Sequence, residues 1–185
     1  MIMELAKQRP IRLLPLLGIG MLAIGCTRVP AGLQPVTGFD SQRYLGKWYE
    51  IARLDHSFER GLTNITAEYA ARPDGSISVV NRGYDLRAGK WREARAVARF
   101  RGEPTVASLK VRFFWPFWGG YHVIALDEKD YRYAMVSGPS RSYLWILSRE
   151  PSLAAPVMAD LVNKAQQWGF AVEKLVHVEH RPPGQ

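Results

Sequence analysis

Residues 92–101, Arg-Glu-Ala-Arg-Ala-Val-Ala-Arg-Phe-Arg, alternate small or apolar side chains with charged ones at a period of two. Ala94, Ala96, Ala98 and Phe100 share one face, and Arg95, Arg99 and Arg101 share the other, as in a β-strand with one wet side. The pattern recurs on both flanks. Downstream, Leu109, Val111 and Phe113 oppose Lys110 and Arg112; upstream, Ile65, Ala67 and Tyr69 oppose Glu68. Because the charged set takes the solvent, the alanines point inward, and small inward residues leave volume unfilled. The two readings of that interior are a cavity lined by alanine and aromatics, or a barrel filled by its larger neighbours.

Working outward, eight segments read as strands: 47–54, 64–71, 76–84, 92–101, 108–114, 121–126, 133–137 and 143–148. Short turns join neighbours, at Pro73-Asp74-Gly75, at Gly102-Glu103-Pro104 and from Asp127 to Asp130, so each strand pairs with the next. From Pro151 to Trp168 the period changes: Leu153, Val157, Leu161 and Ala165 form a helical stripe, and Gly169 follows as a C-cap. A last short strand near Leu175 to Val178 can return to the sheet. The expected fold is all-β, an eight-stranded up-and-down antiparallel barrel with one C-terminal α-helix packed outside.

The N-terminus has a different character. A basic segment with Lys7, Arg9 and Arg12 precedes the apolar run Leu13 to Ile24, too short to span a bilayer comfortably, which stops at Gly25-Cys26. Cys26 is the single cysteine of the chain, so no internal disulfide can form. Leu22-Ala23-Ile24-Gly25-Cys26 resembles the lipobox of bacterial lipoproteins, which implies cleavage before a diacylglycerol-modified Cys26; the alternative is an ordinary secretion signal beside an incidental cysteine. Thr27 follows where an aspartate would signal retention, which implies sorting to the outer membrane. The division expected is a signal peptide over 1–25, an acylated cysteine with a flexible, Pro- and Gly-rich tether over 26–40, and one folded domain over 41–185.

Gly46-Lys47-Trp48-Tyr49-Glu50-Ile51-Ala52-Arg53 resembles the G-x-W signature of lipocalins. Asp130-Tyr131 resembles their second motif, with Lys129 where threonine is usual, and Arg149 stands where the third motif has its arginine. The stretches 119–127 and 143–149, GGYHVIALD and YLWILSR, resemble bacterial lipocalins of the apolipoprotein D-like, outer-membrane lipoprotein type. The resemblance implies a calyx in which Gly46, Trp48 and Arg149 are structural, with Arg149 stacked across the Trp48 indole at the closed end. It also implies that Trp118 and Trp145 line the pocket. Parity also turns Trp145 inward and adds Tyr69, Phe100 and Phe113 as inward aromatics, and Tyr121 is a further ligand-binding candidate.

Strand counting places the loops 55–62, 85–91, 115–120 and 138–142 at the open end. Trp115-Pro116-Phe117-Trp118-Gly119-Gly120 is apolar for a loop, which suits a lid over a greasy ligand, a contact with bilayer lipid, or aromatics folded back onto the rim. The net charge of +8 raises nucleic acid as a partner, but an exported chain meets phospholipid and lipopolysaccharide phosphates instead. The outward set Arg95, Arg99, Arg101, Lys110 and Arg112 is either such a contact or a solvated face. The histidine pair His177 and His180 has poor metal spacing, since residues three apart on a strand face opposite ways. No nucleophile elbow or phosphate loop is present. The inward carboxylate Glu50 is expected to pair with Arg149. The expectation is therefore a non-enzymatic lipid-binding protein with no cofactor and no metal, anchored to the outer membrane through Cys26. Its partners are a fatty acid or lysophospholipid and, on itself, a homodimer. An enzyme modifying a lipid or isoprenoid in the barrel is the alternative.

Overall fold

The computed structural model describes residues 27–181. The signal peptide and Cys26 lie outside the described residues. Strands β1 (Gly46–Leu54), β2 (Leu62–Ala71), β3 (Ile77–Asp85), β4 (Lys90–Phe100), β5 (Ser108–Phe114), β6 (Phe117–Leu126), β7 (Tyr133–Ser137) and β8 (Leu144–Ser148) pair antiparallel, each with the next. β1 closes the barrel by pairing β8 and, through its lower half, β2, with Trp48 opposite Ala67. Its upper half, Ala52 to Leu54, is instead covered by β9 (Leu175–His177). The carbonyl of Glu179 then accepts from the Asn64 amide and the Thr63 hydroxyl, so the C-terminal segment seals the gap between β1 and β2.

The alternation of β4 holds in its lower half. Ala96 and Ala98 are buried, whereas Ala94, toward the open end, is exposed. Residues 115–120 differ from their expected place in a loop: β6 begins at Phe117, opposite Phe114, and only Trp115 and Pro116 form the turn. A long hairpin tip therefore projects the aromatics, because pairing of the neighbouring backbones continues almost to the turn.

Helix α2 (Ala155–Gln167) starts four residues later than Pro151, since Pro156 is tolerated only in the first turn of a helix. Its buried Leu161 and Ala165 pack on the outer faces of Met135, Leu144 and Ile146. Gly169, at φ +78°, takes the left-handed position that ends the helix. The segment 27–40, expected as a flexible tether, lies along the barrel instead. Leu33 and Phe39 are buried, and Val36 bonds through its backbone to Val123 and Ala107. Apolar side chains spaced through the Pro- and Gly-rich stretch find pockets on the barrel that composition alone does not reveal.

Candidate ligand-binding site

The closed end is built from the N-terminal strap. Asp40 accepts from the Gln42 amide and so starts the single turn α1 (Ser41–Tyr44), which drops Tyr44 into the barrel floor. Trp48 is fully buried there and donates from its indole nitrogen to the Tyr44 carbonyl at 2.8 Å. The Arg149 guanidinium lies 3.9 Å from the Trp48 ring centroid and donates to the carbonyls of Lys47, Arg43 and Tyr131. Gly46 has φ +90°, so a side chain there would be strained, and its Cβ would meet the Arg149 guanidinium at 3.5 Å. Phe39 and Tyr131 complete the plug.

Above the floor lies a cavity of about 420 Å³, within the range of small-ligand pockets. Its lower wall carries Tyr69 and Tyr121. Tyr121 Oη stands 2.7 Å from Tyr44 Oη and 2.8 Å from Tyr69 Oη, and burial pushes all three phenols up, so they stay neutral, hydrogen-bonded hydroxyls. Ile65, Ala67, Val79, Val111 and Leu147 line the middle, and Phe58, Phe114 and Phe117 surround the opening. Aromatics bound this space as expected, but of the inward alanines only Ala67 borders it; Ala94, Ala96 and Ala98 of β4, from which an alanine-lined cavity was expected, are not part of its wall.

One wall carries buried charge. A bulge between Glu50 and Ala52 shifts the register of β1, so Arg53, outward by simple parity, turns inward and is only 2% exposed. Arg53 donates to Glu50 Oε1 at 3.0 Å and to the Glu59 carbonyl at 2.9 Å. The partner of Glu50 is thus Arg53 and not Arg149, whose guanidinium is held on the floor side of Trp48. Glu59, buried although it lies in the 55–61 loop, accepts from the Trp145 indole at 3.1 Å. Burial, and next the neighbouring Glu59, raise Glu50 well above the carboxylate range; burial raises Glu59 as well. Burial, and next the charge of Arg53, push His56 down to about 4, so it is a neutral ring stacked on Phe58 at 3.9 Å. This cluster ties the loop over part of the opening.

Of the aromatics singled out from sequence, Tyr69, Phe113, Trp118, Tyr121 and Trp145 border the cavity. Phe100 does not; it packs edge-on to Phe39 near the floor, 6.3 Å between centroids. Trp118 sits at the rim with its ring under two cations of the wet face, 5.0 Å from Lys110 Nζ and 4.7 Å from the Arg112 guanidinium. Sequence reasoning missed Tyr44, Arg53, Phe58 and Glu59. Tyr44 precedes the first strand, and nothing local marks the bulge that redirects Arg53. Among the described residues no group of three His, Cys, Asp or Glu side chains is placed to hold a metal.

Residues 39–180 match the family model described as a lipocalin-like domain. The chain is 49% identical over 173 residues to the outer membrane lipoprotein Blc of Escherichia coli (strain K12), covering 91% of this chain and 97% of that protein. It is 47% identical to Blc of Vibrio cholerae, covering 87% and 94%, and 33% identical to apolipoprotein D of Bos taurus, covering 74% and 75%. Among solved structures, the major allergen Per a 4 from cockroaches superposes with a TM-score of 0.65 at 19% identity, over 84% of this chain and 95% of the other. Insecticyanin from the tobacco hornworm Manduca sexta superposes with a TM-score of 0.62 at 20% identity, over 83% and 87%. These two share the fold.

Proposed function

We propose that this chain, which belongs to the lipocalin family and resides at the outer membrane, holds one acyl chain of a fatty acid or lysophospholipid in its barrel, storing or carrying it within the cell envelope. The observation that carries this reading is the cavity. It is open at one end, closed at the other by the Trp48 plug, and walled mainly by apolar and aromatic side chains. Burial of an acyl chain there gains ~25 cal/mol per Å² of apolar surface removed from water, without any polar group of the chain to satisfy.

The polar end of such a ligand belongs at the opening. Inside, Arg53 is already engaged by Glu50 and by the Glu59 carbonyl, while two carboxylates share the wall, so a ligand carboxylate or phosphate finds no free cation at depth. At the rim stand Lys110 and Arg112. Attachment to the membrane is assigned to Cys26 by the lipobox-like sequence before it. Three acyl chains at ~0.8 kcal/mol per buried methylene make such an anchor effectively permanent.

The experiment is a titration of delipidated protein with palmitate and with a palmitoyl lysophospholipid, followed by tryptophan fluorescence. One-to-one binding at about micromolar concentration or tighter is expected, and native mass spectrometry of protein extracted from its own membrane should release the same class of molecule unchanged. Absence of binding at micromolar ligand overturns the reading. Cys26→Ser should abolish labelling by a clickable palmitate analogue; persistent labelling moves the anchor elsewhere.

A further inference from the structure

The rim of the open end is apolar in a way the floor is not. Among the described residues, seven large hydrophobic side chains are exposed, and six of them, Phe58, Leu86, Trp91, Phe114, Trp115 and Phe117, stand on the loops and strand ends of the mouth. Trp115 is 81% exposed and Phe114 77%, at the tip of the β5–β6 hairpin. The turns at the other end carry Arg72-Pro73-Asp74-Gly75, Gly102-Glu103-Pro104 and Glu128-Lys129-Asp130. A patch of this kind, on one end only of the barrel, marks an interaction surface.

Charge at the rim has one sign left over. Asp55 is taken by Arg60, Asp85 by Arg92, and Glu59 is buried. Arg87, Lys90, Lys110 and Arg112 enter no ion pair among the described residues. Exposed Trp and Phe ringed by unpaired Lys and Arg is the composition of a surface that sits at the headgroup level of an anionic bilayer.

An independent observation sets the orientation. A Cβ at Gly120 would stand 3.3 Å from the Thr27 carbonyl oxygen and 3.4 Å from Pro139 Cα in the β7–β8 loop, so Thr27 lies against the mouth half of the barrel. Arg28 is pinned beside it, its carbonyl 3.1 Å from His122 Nε2. Gly120 is only three residues along β6 from Phe117, ~10 Å at ~3.3 Å per residue. In the sequence Cys26 directly precedes Thr27. Because the strap is packed from Thr27 onward, one peptide bond separates the assigned anchor residue from chain that is fixed on the barrel.

We infer that the open end of the barrel is pressed into the anionic phospholipid surface that holds the chain's own anchor, with Phe114, Trp115 and Phe117 among the headgroups, so that acyl chains pass between bilayer and cavity without crossing water. The inference rests on the assignment of Cys26 as the anchor and deepens the lipid-carrier reading. The short link from Cys26 to Thr27 holds the mouth down; the aromatics and cations favour that face over the sides.

The test uses the full-length, processed protein in vesicles of three parts phosphatidylethanolamine to one part phosphatidylglycerol. Trp115→Cys and, as a control at the opposite end, Glu128→Cys each receive an environment-sensitive fluorophore; both positions are exposed, so folding is not at issue. Brominated lipids should quench the label at 115 at least fivefold more than the label at 128. Equal quenching, or more at 128, overturns the inference. Intact mass on the same sample reports the anchor, and an unmodified Cys26 overturns it too. A mouth-down label pattern in a protein that binds no palmitate would leave docking standing while the carrier reading fails. In a second arm, replacing Leu86, Trp91 and Trp115 together by Ser, all exposed at the mouth and outside the cavity lining, should slow uptake of lysophospholipid from vesicles at least tenfold with little change in affinity for the same ligand added as monomer; an unchanged uptake rate overturns the inference.

Discussion

At the floor of the barrel Trp48 is fully buried under the Arg149 guanidinium; at the mouth Trp115 is 81% exposed, with Arg112 and Lys110 gathered around its neighbour Trp118. Both ends thus bring tryptophan and basic side chains together. At the floor the pair is closed in by Phe39, Tyr44 and Tyr131, and the guanidinium is satisfied by three carbonyls. At the mouth no chain covers the rings. The same residue types hold the fold shut where other protein atoms surround them and are free to meet an outside surface where none do.

The largest effect that could break this comparison belongs to the floor. Trp48→Ala should lower unfolding free energy by ~3 to 5 kcal/mol in denaturant titrations, since it empties a fully buried site. Arg149→Ala should cost less, about 1 to 2 kcal/mol, because the cation-π contact and carbonyl bonds go but the ring stays. Unchanged midpoints in both variants would refute the plug.

Trp145→Ala sits between the two regions. It removes apolar wall from the cavity and the donor on which Glu59 rests, so palmitate affinity should fall at least tenfold and stability by ~1 to 3 kcal/mol. If affinity is untouched, the acyl chain does not lie along that wall.

A change of pH separates buried from exposed groups. His56 and His122 are both pushed down to about 4 by burial, against ~6.5 in the unfolded chain. Folding keeps each ring neutral, so their contribution is complete above ~6.5 and is lost as pH falls toward 4. The melting temperature should therefore drop over that window, with a shallower slope in His122→Gln. The raised Glu50 and Glu59 act with the opposite sign, costing stability as pH rises through their folded values. Identical slopes from pH 7 to 4 in the parent protein and in His122→Gln would contradict a buried neutral histidine at that position.

The smallest effects should come from the rim. Trp118→Ala should weaken ligand binding about fivefold, ~1 kcal/mol, since its ring is shared between the cavity edge and two cations. Trp115→Ser should change unfolding free energy by less than ~0.5 kcal/mol. A large loss of stability there would mean that the hairpin tip is part of the core, and the contrast between the two ends would collapse.

Much of the barrel was legible in residue order. The alternation of 94–101 and 108–113, the turns and the helical stripe each led to the elements observed, because strand and helix periods are imposed locally by backbone geometry. The cavity residues Tyr69, Phe113 and Trp145 came from the same parity. Parity failed where the backbone breaks step. The bulge in β1 turns Arg53 inward and replaces Arg149 as the partner of Glu50, and it leaves no local mark in Gly46–Leu54.

What the sequence by itself determined is the set of strands, their order, the outer helix and which face is wet wherever a strand keeps step, since these follow from steric alternation and from the cost of burying charge. The tertiary structure decided the rest: the packing of 27–40 against β5 and β6, the burial of Glu59 from a loop, the displacement of Phe100 from the cavity, and the nearness of Thr27 to the mouth. Each of these depends on contacts between segments far apart in the chain, where the outcome turns on shape and depth, and side-chain type alone does not specify either.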